Sequence, residues 1–243
     1  MRKPLLVIAL LAMRLHCFPD EGVLIVTEEW APYNYAQNGG VTGLSTEIVE
    51  GIMRILGERY PIELLPSMRA KALLDTRPKT ILYSLFRTPE REQKYRWVGP
   101  ILEEGIYFYK LRESLLSART LDDIKRVNLI ACRRAGVIHD LLVERGFSNL
   151  DESGTDSKQV YSKLLAKRCD LAISDTDIGI KYLFASMGKS PDVLERIDYP
   201  FFTSKLYIGF SKDFPDDEFA RWEDAFAKLK QSGELARIIE KYY

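Results

Sequence analysis

Residues 23–57, VLIVTEEWAPYNYAQNGGVTGLSTEIVEGIMRILG, hold three local patterns in one short stretch. Val23-Leu24-Ile25-Val26-Thr27 is a continuous apolar run, as expected of a strand buried on both faces. Tyr33-Asn34-Tyr35 and Val41-Thr42 flank Gln37-Asn38-Gly39-Gly40, where Asn-Gly supplies the positive φ angles of a tight hairpin turn. A helix follows. Ser45 or Thr46 can cap it, Glu47 suits its first turn, and Ile48, Ile52, Ile55 and Leu56 share one apolar face. Gly57 can close it in a left-handed conformation.

Working outward, strand-like runs recur at 62–65, 80–84, 106–110, 127–131, 170–174 and 206–210. Helical patterns alternate with them at 69–75, 137–145, 158–167 and 176–187. Strands alternating with helices predict right-handed βαβ units and open, mostly parallel sheets. The C-terminal part differs: Phe219, Trp222, Phe226 and Leu229 stripe one helix, and Gly233 separates it from Leu235, Ile238, Ile239 and Tyr242 on another. Residues 111–120 leave the first unit through a polar stretch, and Tyr199-Pro200-Phe201-Phe202-Thr203-Ser204 can carry the chain back. The expected division is a first lobe over 22–110, a second over 111–202, and a return with C-terminal helices over 203–243.

The whole chain has 243 residues, 46% hydrophobic and 29% charged, enough for one or two cores. Acidic and basic residues balance at 35 each, so no basic surface invites nucleic acid. Met1-Arg2-Lys3 followed by the apolar run 5–13 is too short to span a bilayer, which takes about 20 apolar residues. It fits a secretory signal, expected over 1–21 with an unfixed cleavage point; a buried N-terminal element is the alternative. Cleavage near Cys17 would remove three basic residues and no acidic one, for a mildly acidic mature protein. Cys17, preceded by His16 with Arg14 nearby, is a poor match to a lipoprotein anchor. Cys132 and Cys169 fall near opposite ends of neighbouring strands, too far apart for a bridge limited to about 7 Å between Cα atoms. The absence of CxxC and the presence of only two histidines, His16 and His139, argue against a zinc or catalytic histidine site; no cofactor is expected.

Several stretches, in order, resemble bacterial extracellular solute-binding protein family 3, the periplasmic amino-acid-binding proteins of ABC transporters. They are 24–35 (LIVTEEWAPYNY) with 43–48, then 84–100 (SLFRTPEREQKYRWVGP) and 121–124 (LDDI). After them come 170–175 (DLAISD), 206–212 (LYIGFSK) and the closing SGELARIIEKY at 232–242. The resemblance implies a periplasmic-binding-protein-like α/β fold, two lobes joined by two hinge crossovers with a ligand cleft between them. It implies a monomeric, non-enzymatic periplasmic protein that closes on an amino-acid-like or carboxylate ligand. Such a protein hands the ligand to an ABC permease or presents itself to a membrane receptor.

An amino acid is a zwitterion, so a dry cleft must pair both charges. Arg91 falls in the first turn of a helix that Thr88 can cap and Pro89 can begin, and its guanidinium fork can grip a carboxylate. By resemblance Arg91 is the carboxylate partner and Asp175 the ammonium partner, on opposite lobes. Asp175 can equally serve as the N-cap of the helix beginning at Thr176. The resemblance places Trp30 against the ligand side chain, Met68 as a second wall, Glu28 at the mouth, and Ser84 and Gly136 among the lining residues. Departures from the family pattern are Phe86 with Arg87 where a small hydroxyl residue is common, and Arg133-Arg134-Ala135-Gly136 where Gly-Ser or Gly-Thr is common. Extra arginines there point to a second acidic group on the ligand or to a ligand other than a free amino acid. The rival reading is a dehydratase-like enzyme on the same scaffold, with Glu28, Asp175 or Asp177 as general acid.

Overall fold

A computed structural model of the chain describes residues 22–243, so the expectations for 1–21, Cys17 included, lie outside the described residues. The first elements are β1 (Leu24–Thr27), β2 (Tyr35–Gln37), β3 (Gly40–Thr42), α1 (Leu44–Leu56), β4 (Ile62–Leu64), α2 (Ser67–Thr76), β5 (Thr80–Phe86) and α3 (Pro89–Glu92). A long strand β6 (Arg96–Leu111) leads to α4 (Leu121–Lys125), β7 (Ile130–Arg133), α5 (Val137–Glu144), β8 (Leu150–Gly154), α6 (Ser157–Leu165), β9 (Leu171–Ala172) and α7 (Asp177–Ser186). A second long strand, β10 (Leu194–Phe210), returns the chain to α8 (Asp216–Gln231) and α9 (Glu234–Glu240).

Eight strands lie in the order β4-β1-β5-β10-β6-β9-β7-β8. β1 pairs in parallel with β4 and β5, and β7 in parallel with β8 and β9. The two parallel groups are joined by the antiparallel ribbon of β6 and β10, which pair from Leu194↔Leu111 to Phe210↔Arg96. Its register breaks around Pro200 and again after Leu206, which bends it between the two groups. The result is a two-lobed α/β molecule in which both crossovers are strands of a single ribbon. Sequence pattern located only the ends of these strands, at 106–110 and 206–210, because Pro100 and Pro200 interrupt the apolar runs.

Alternation along the strands sorts side chains into separate cores on the two faces. In the first half, Ile25, Ile81, Tyr83 and Phe210 pack under α1 and α8 with Ile48, Ile52, Trp222 and Leu229. Val26, Leu82 and Leu85 face the other way, onto Leu74 of α2. In the second half, Ile106, Phe108, Ile130 and Phe201 form one core, while Tyr109, Ala172, Tyr161 and Phe184 form the core across the sheet. Each such large apolar side chain contributes about 1.5–3 kcal/mol on burial. Cys132 and Cys169 are free thiols in the cores on opposite faces, both pushed up to about 11 by burial.

The hairpin forms as expected, with Asn38 and Gly39 at φ 52° and 80°. The start of α1 differs. Neither Ser45 nor Thr46 caps it; Gly43 is the N-cap, and both hydroxyl residues are buried in the first turn. Gly43 sits at φ 121°, and an added Cβ would stand 2.5 Å from the Tyr33 carbonyl, so only glycine fits where the hairpin crosses the helix start. Gly57 closes α1 at φ 70° as anticipated. β8 was not anticipated, its run Leu150-Asp151-Glu152-Ser153-Gly154 being too polar to read as a strand.

Candidate functional site

Most of the side chains singled out from sequence gather where strands of the two halves end against each other, the usual place for ligand groups in open α/β sheets. From the end of β1, Glu28 precedes a tight loop in which the Trp30 amide donates to the Asn34 carbonyl at 2.7 Å. The Asn34 side chain ties this loop down: its Nδ2 donates to the Glu28 carbonyl and its Oδ1 accepts from Ser84 Oγ at 2.5 Å. Ser84 lies at φ 62° where β5 slips register against β10, so the strand turns this buried hydroxyl out of the ladder toward the loop. Trp30 rests on Tyr33 and Phe86, with ring centroids 4.4 and 5.7 Å apart. Phe86 in turn meets Phe202.

Arg91 stands in the short helix α3 and donates to the Phe86 carbonyl at 3.2 Å. Thr88 occupies the N-cap position as anticipated, but its side chain makes no capping bond. Arg87 leaves the cleft: its guanidinium pairs with Glu92 at 2.5 Å and lies over Tyr207 and Trp97.

From the second half, β9 delivers Ser174, Asp175 and Thr176. The N-cap of α7 is Thr176, whose Oγ1 accepts from the Gly179 amide at 3.1 Å, so the capping alternative for Asp175 is overturned. Asp175 is freed to point across the gap. Its Oδ1 accepts from the Thr176 amide at 2.9 Å and from Trp30 Nε1 of the other half at 3.2 Å; its Oδ2 accepts from Ser157 Oγ at 3.0 Å. Gly179 makes room for it, since a Cβ there would lie 2.2 Å from Asp175 Oδ1. Only 6% of Asp175 is exposed, and burial raises its carboxyl above the usual range against the pull of these donors and of Arg133.

Further contacts close the gap. Tyr33 Oη and Thr176 Oγ1 are 2.7 Å apart, Ile178 is buried in the first half's core, and the Tyr35 and Tyr182 rings lie 5.3 Å apart. The Tyr33 hydroxyl gives its proton to the buried Glu104 carboxylate of β6, so in its bond with Thr176 Oγ1 it is the acceptor. Tyr243 donates to the same carboxylate at 2.6 Å. Burial raises the Glu104 carboxyl, the two tyrosines oppose the rise, and Asp177 and Asp175 add to it.

The loop after β7 completes the second wall. The Arg134 amide bonds the Gly154 carbonyl at 2.9 Å, Gly136 is the N-cap of α5 at φ 108°, and Val137 packs on the first half's core. An added Cβ on Gly136 would meet nothing within 4 Å. Arg133 is carried on the same segment. Glu28 is half-buried; burial raises its carboxyl, with Arg133 and then Arg91 pulling it back. Arg91, Glu28, Arg133 and Asp175 therefore form a chain of charges running from one half to the other.

Of the residues singled out from sequence, Trp30 and Asp175 touch, Glu28 and Arg91 share one field, Ser84 joins through Asn34, and Gly136 stands on the opposing loop. Met68 stays apart, 78% exposed at the start of α2 and outside the packed cores. Asn34, Tyr33, Ser157, Thr176 and Arg133 were not selected. Tyr33 and Asn34 sit inside the quoted opening motif, and Arg133 was noticed as a departure, but Ser157 offers no signal beyond following a capping aspartate. A separate hollow of about 560 Å³, lined in part by Asp75, Lys94, Tyr95 and Lys212, contains none of these residues.

Two α/β lobes on one antiparallel ribbon, with charged groups of both facing a common cleft, define the class of two-lobed binding proteins. The chain belongs to the bacterial extracellular solute-binding proteins, family 3, which it matches over residues 23–243. It is 24% identical over 234 residues to the probable amino-acid-binding protein YxeM of Bacillus subtilis (strain 168), covering 92% of this chain and 85% of that protein. In fold it is similar to a histidine kinase sensor domain with similarity to periplasmic binding proteins (TM-score 0.77, 20% identity, 90% of this chain and 95% of the other). It is likewise similar to an ancestral amino-acid-binding protein, a precursor of cyclohexadienyl dehydratase (TM-score 0.71, 16% identity, 91% and 95%). Among the described residues, no helix is long and apolar enough to cross a membrane.

Proposed function

We propose that this chain captures an amino-acid-like solute by closing its two lobes around it, outside the cytoplasm, as a monomer serving uptake or sensing. The observation that carries the reading is Asp175, bonded across the gap by Trp30 and lying in the field of Arg133, while Glu28 feels Arg133 and Arg91. Arg91 takes the α-carboxylate through its planar fork. Asp175 Oδ2, with one donor, keeps a lone pair for the ammonium, and Glu28 offers two more oxygens. Trp30 lies against the ligand's side chain, Ser84 holds the loop beneath it, and the Gly136 loop forms the far wall.

The lobes exchange within the ribbon, near 103–106 on β6 and 202–205 on β10. The supporting residues are Leu102 and Leu206 in the first half's core and Ile106 and Phe201 in the second's. The first exchange then lies a few residues before the 110/111 boundary expected from sequence. An ABC-type permease or a membrane receptor would read the closed form; family membership supports a partner of this kind. The export signal expected over 1–21 accords with an extracytoplasmic site.

Thermal unfolding against a panel of L-amino acids tests the reading. A bound ligand at 100 times its Kd adds about 2.7 kcal/mol to stability. At least one amino acid will produce such a shift, and Arg91→Ala will abolish it while the unliganded midpoint stays put. A full shift in the variant would remove Arg91 from the site. The dehydratase-like reading draws on Glu28 and Asp175, two carboxyls raised by burial in one crevice, the state a general acid needs. Turnover of the stabilising amino acid during long incubation, followed by mass spectrometry, would establish it.

A further inference from the structure

We propose that the cleft selects an amino acid carrying a second acid group, with Arg133 as the specificity-determining residue that grips the distal carboxylate while Arg91 holds the α-carboxylate. This rests on the reading of the cleft as an amino-acid site.

The first support is placement. β7 is parallel to β9, and their adjacent ends deliver Arg133 and Asp175 to the same edge of the second lobe. Gly136 turns the chain into α5, whose first residue, Val137, packs on the first lobe's core. The end of the segment 133–136 is therefore held beside the opposite lobe, with its side chains exposed. Arg133 sits at its start.

The second support is an account of which polar groups are already taken. Asp175 has three donors from the protein itself: Trp30, Thr176 and Ser157. Arg87, the other arginine beside Phe86, is consumed by Glu92. Among the described residues, the Arg133 guanidinium makes no hydrogen bond or ion pair, and Arg91 has only one backbone carbonyl. Among the same residues, the Glu28 carboxylate makes no hydrogen bond or ion pair. Open groups in the cleft thus number two guanidinium ions and one carboxylate; the second carboxylate, Asp175, is already held by its three protein donors.

Closure excludes water, and an unpaired charge is then strongly disfavoured. A neutral amino acid gives its carboxylate to Arg91 and its ammonium to Glu28 and Asp175, leaving Arg133 without a partner. A basic amino acid leaves Arg133 facing a second cation. An acidic one supplies the missing carboxylate, and each guanidinium then holds one anion in a two-pronged contact.

Titration calorimetry with L-glutamate, L-aspartate, L-glutamine and L-arginine, on wild type, Arg133→Gln and Arg133→Lys, tests this. Arg133 is exposed and without side-chain partners, so both variants will fold. In wild type, L-glutamate or L-aspartate will bind at least about 100-fold more tightly than L-glutamine, equivalent to about 2.7 kcal/mol. Arg133→Gln will erase that preference while leaving the affinity for L-glutamine within a few-fold; Arg133→Lys will keep part of it. Equal or tighter binding of L-glutamine or L-arginine by wild type, or an acidic preference that survives Arg133→Gln, overturns the proposal while amino-acid capture stands. Failure of every amino acid to bind wild type overturns the underlying reading as well.

Discussion

Glu28 in the first lobe and Asp175 in the second are carboxylates at the ends of parallel strands, and burial pushes both upward. Their surroundings differ. The first lobe fixes the backbone of Glu28 through Asn34 and Ser84, and among the described residues its side chain makes no bond. The second lobe fixes the side chain of Asp175 through Ser157, the Thr176 amide and, across the gap, Trp30. One lobe thus presents adjustable charges, Glu28 and Arg91, on a rigid loop, and the other presents a carboxylate already oriented. In the proposed binding mode, orienting one partner in advance would lower the ordering cost, while the free partners would adapt to the ligand's outline.

The largest expected effects strike the supports of this contrast. Asn34→Ala leaves the buried Ser84 hydroxyl and the Glu28 carbonyl without these partners and will cost about 2–6 kcal/mol, at roughly 1–3 for each unsatisfied group. Gly179→Ala drives a methyl group into Asp175 and will cost about 1–3 kcal/mol as an overpacked site. Urea unfolding measures both. If Asn34→Ala proves the milder of the two, the first lobe's loop is not the rigid member of the pair.

A subtler effect is a dependence on pH. Burial holds the Asp175 carboxyl above its unfolded value of about 3.9, so the folded chain binds that proton more tightly than the unfolded one. The resulting stabilisation is complete below the unfolded value and is lost as the pH rises through the folded one. Asp175→Asn removes this dependence. Without ligand, the variant will therefore gain on wild type in thermal midpoint between pH 4 and pH 7, while its response to the ligand falls. A variant that instead loses ground to wild type over the same range would mean that the three donors outweigh burial. Smallest of all, Met68→Ala will change stability by less than about 0.5 kcal/mol, as an exposed side chain outside the cores. A loss of ligand affinity in that variant, read by calorimetry, would bring Met68 back to the cleft as a covering residue.

Much of the architecture was legible because local pattern and tertiary role agree. The run 23–27 is buried, Asn38-Gly39 turns the hairpin, and Gly57 ends α1. Reading failed where long-range contact overrides local preference. Ser45 and Thr46 are good caps, yet packing of Leu44 and the close approach of Gly43 to Tyr33 move the helix start upstream. Prolines hid the lengths of β6 and β10, because a proline is tolerated at a bend that the sequence does not announce. Of the proposed cleft, Arg91 and Asp175 were singled out through family pattern. Ser157 and Thr176 were not, since what matters is their distance to Asp175, about 18 residues away in the first case and adjacent in the second.

The ribbon of β6 and β10 carries a mechanical consequence. Both passages between the lobes are hydrogen-bonded to each other, so neither can move alone, and any relative motion has to be shared as added twist and bend along the pair. Such a connection behaves like a leaf spring: it flexes readily in one direction, resists sideways shear, and brings the same faces together at every stroke.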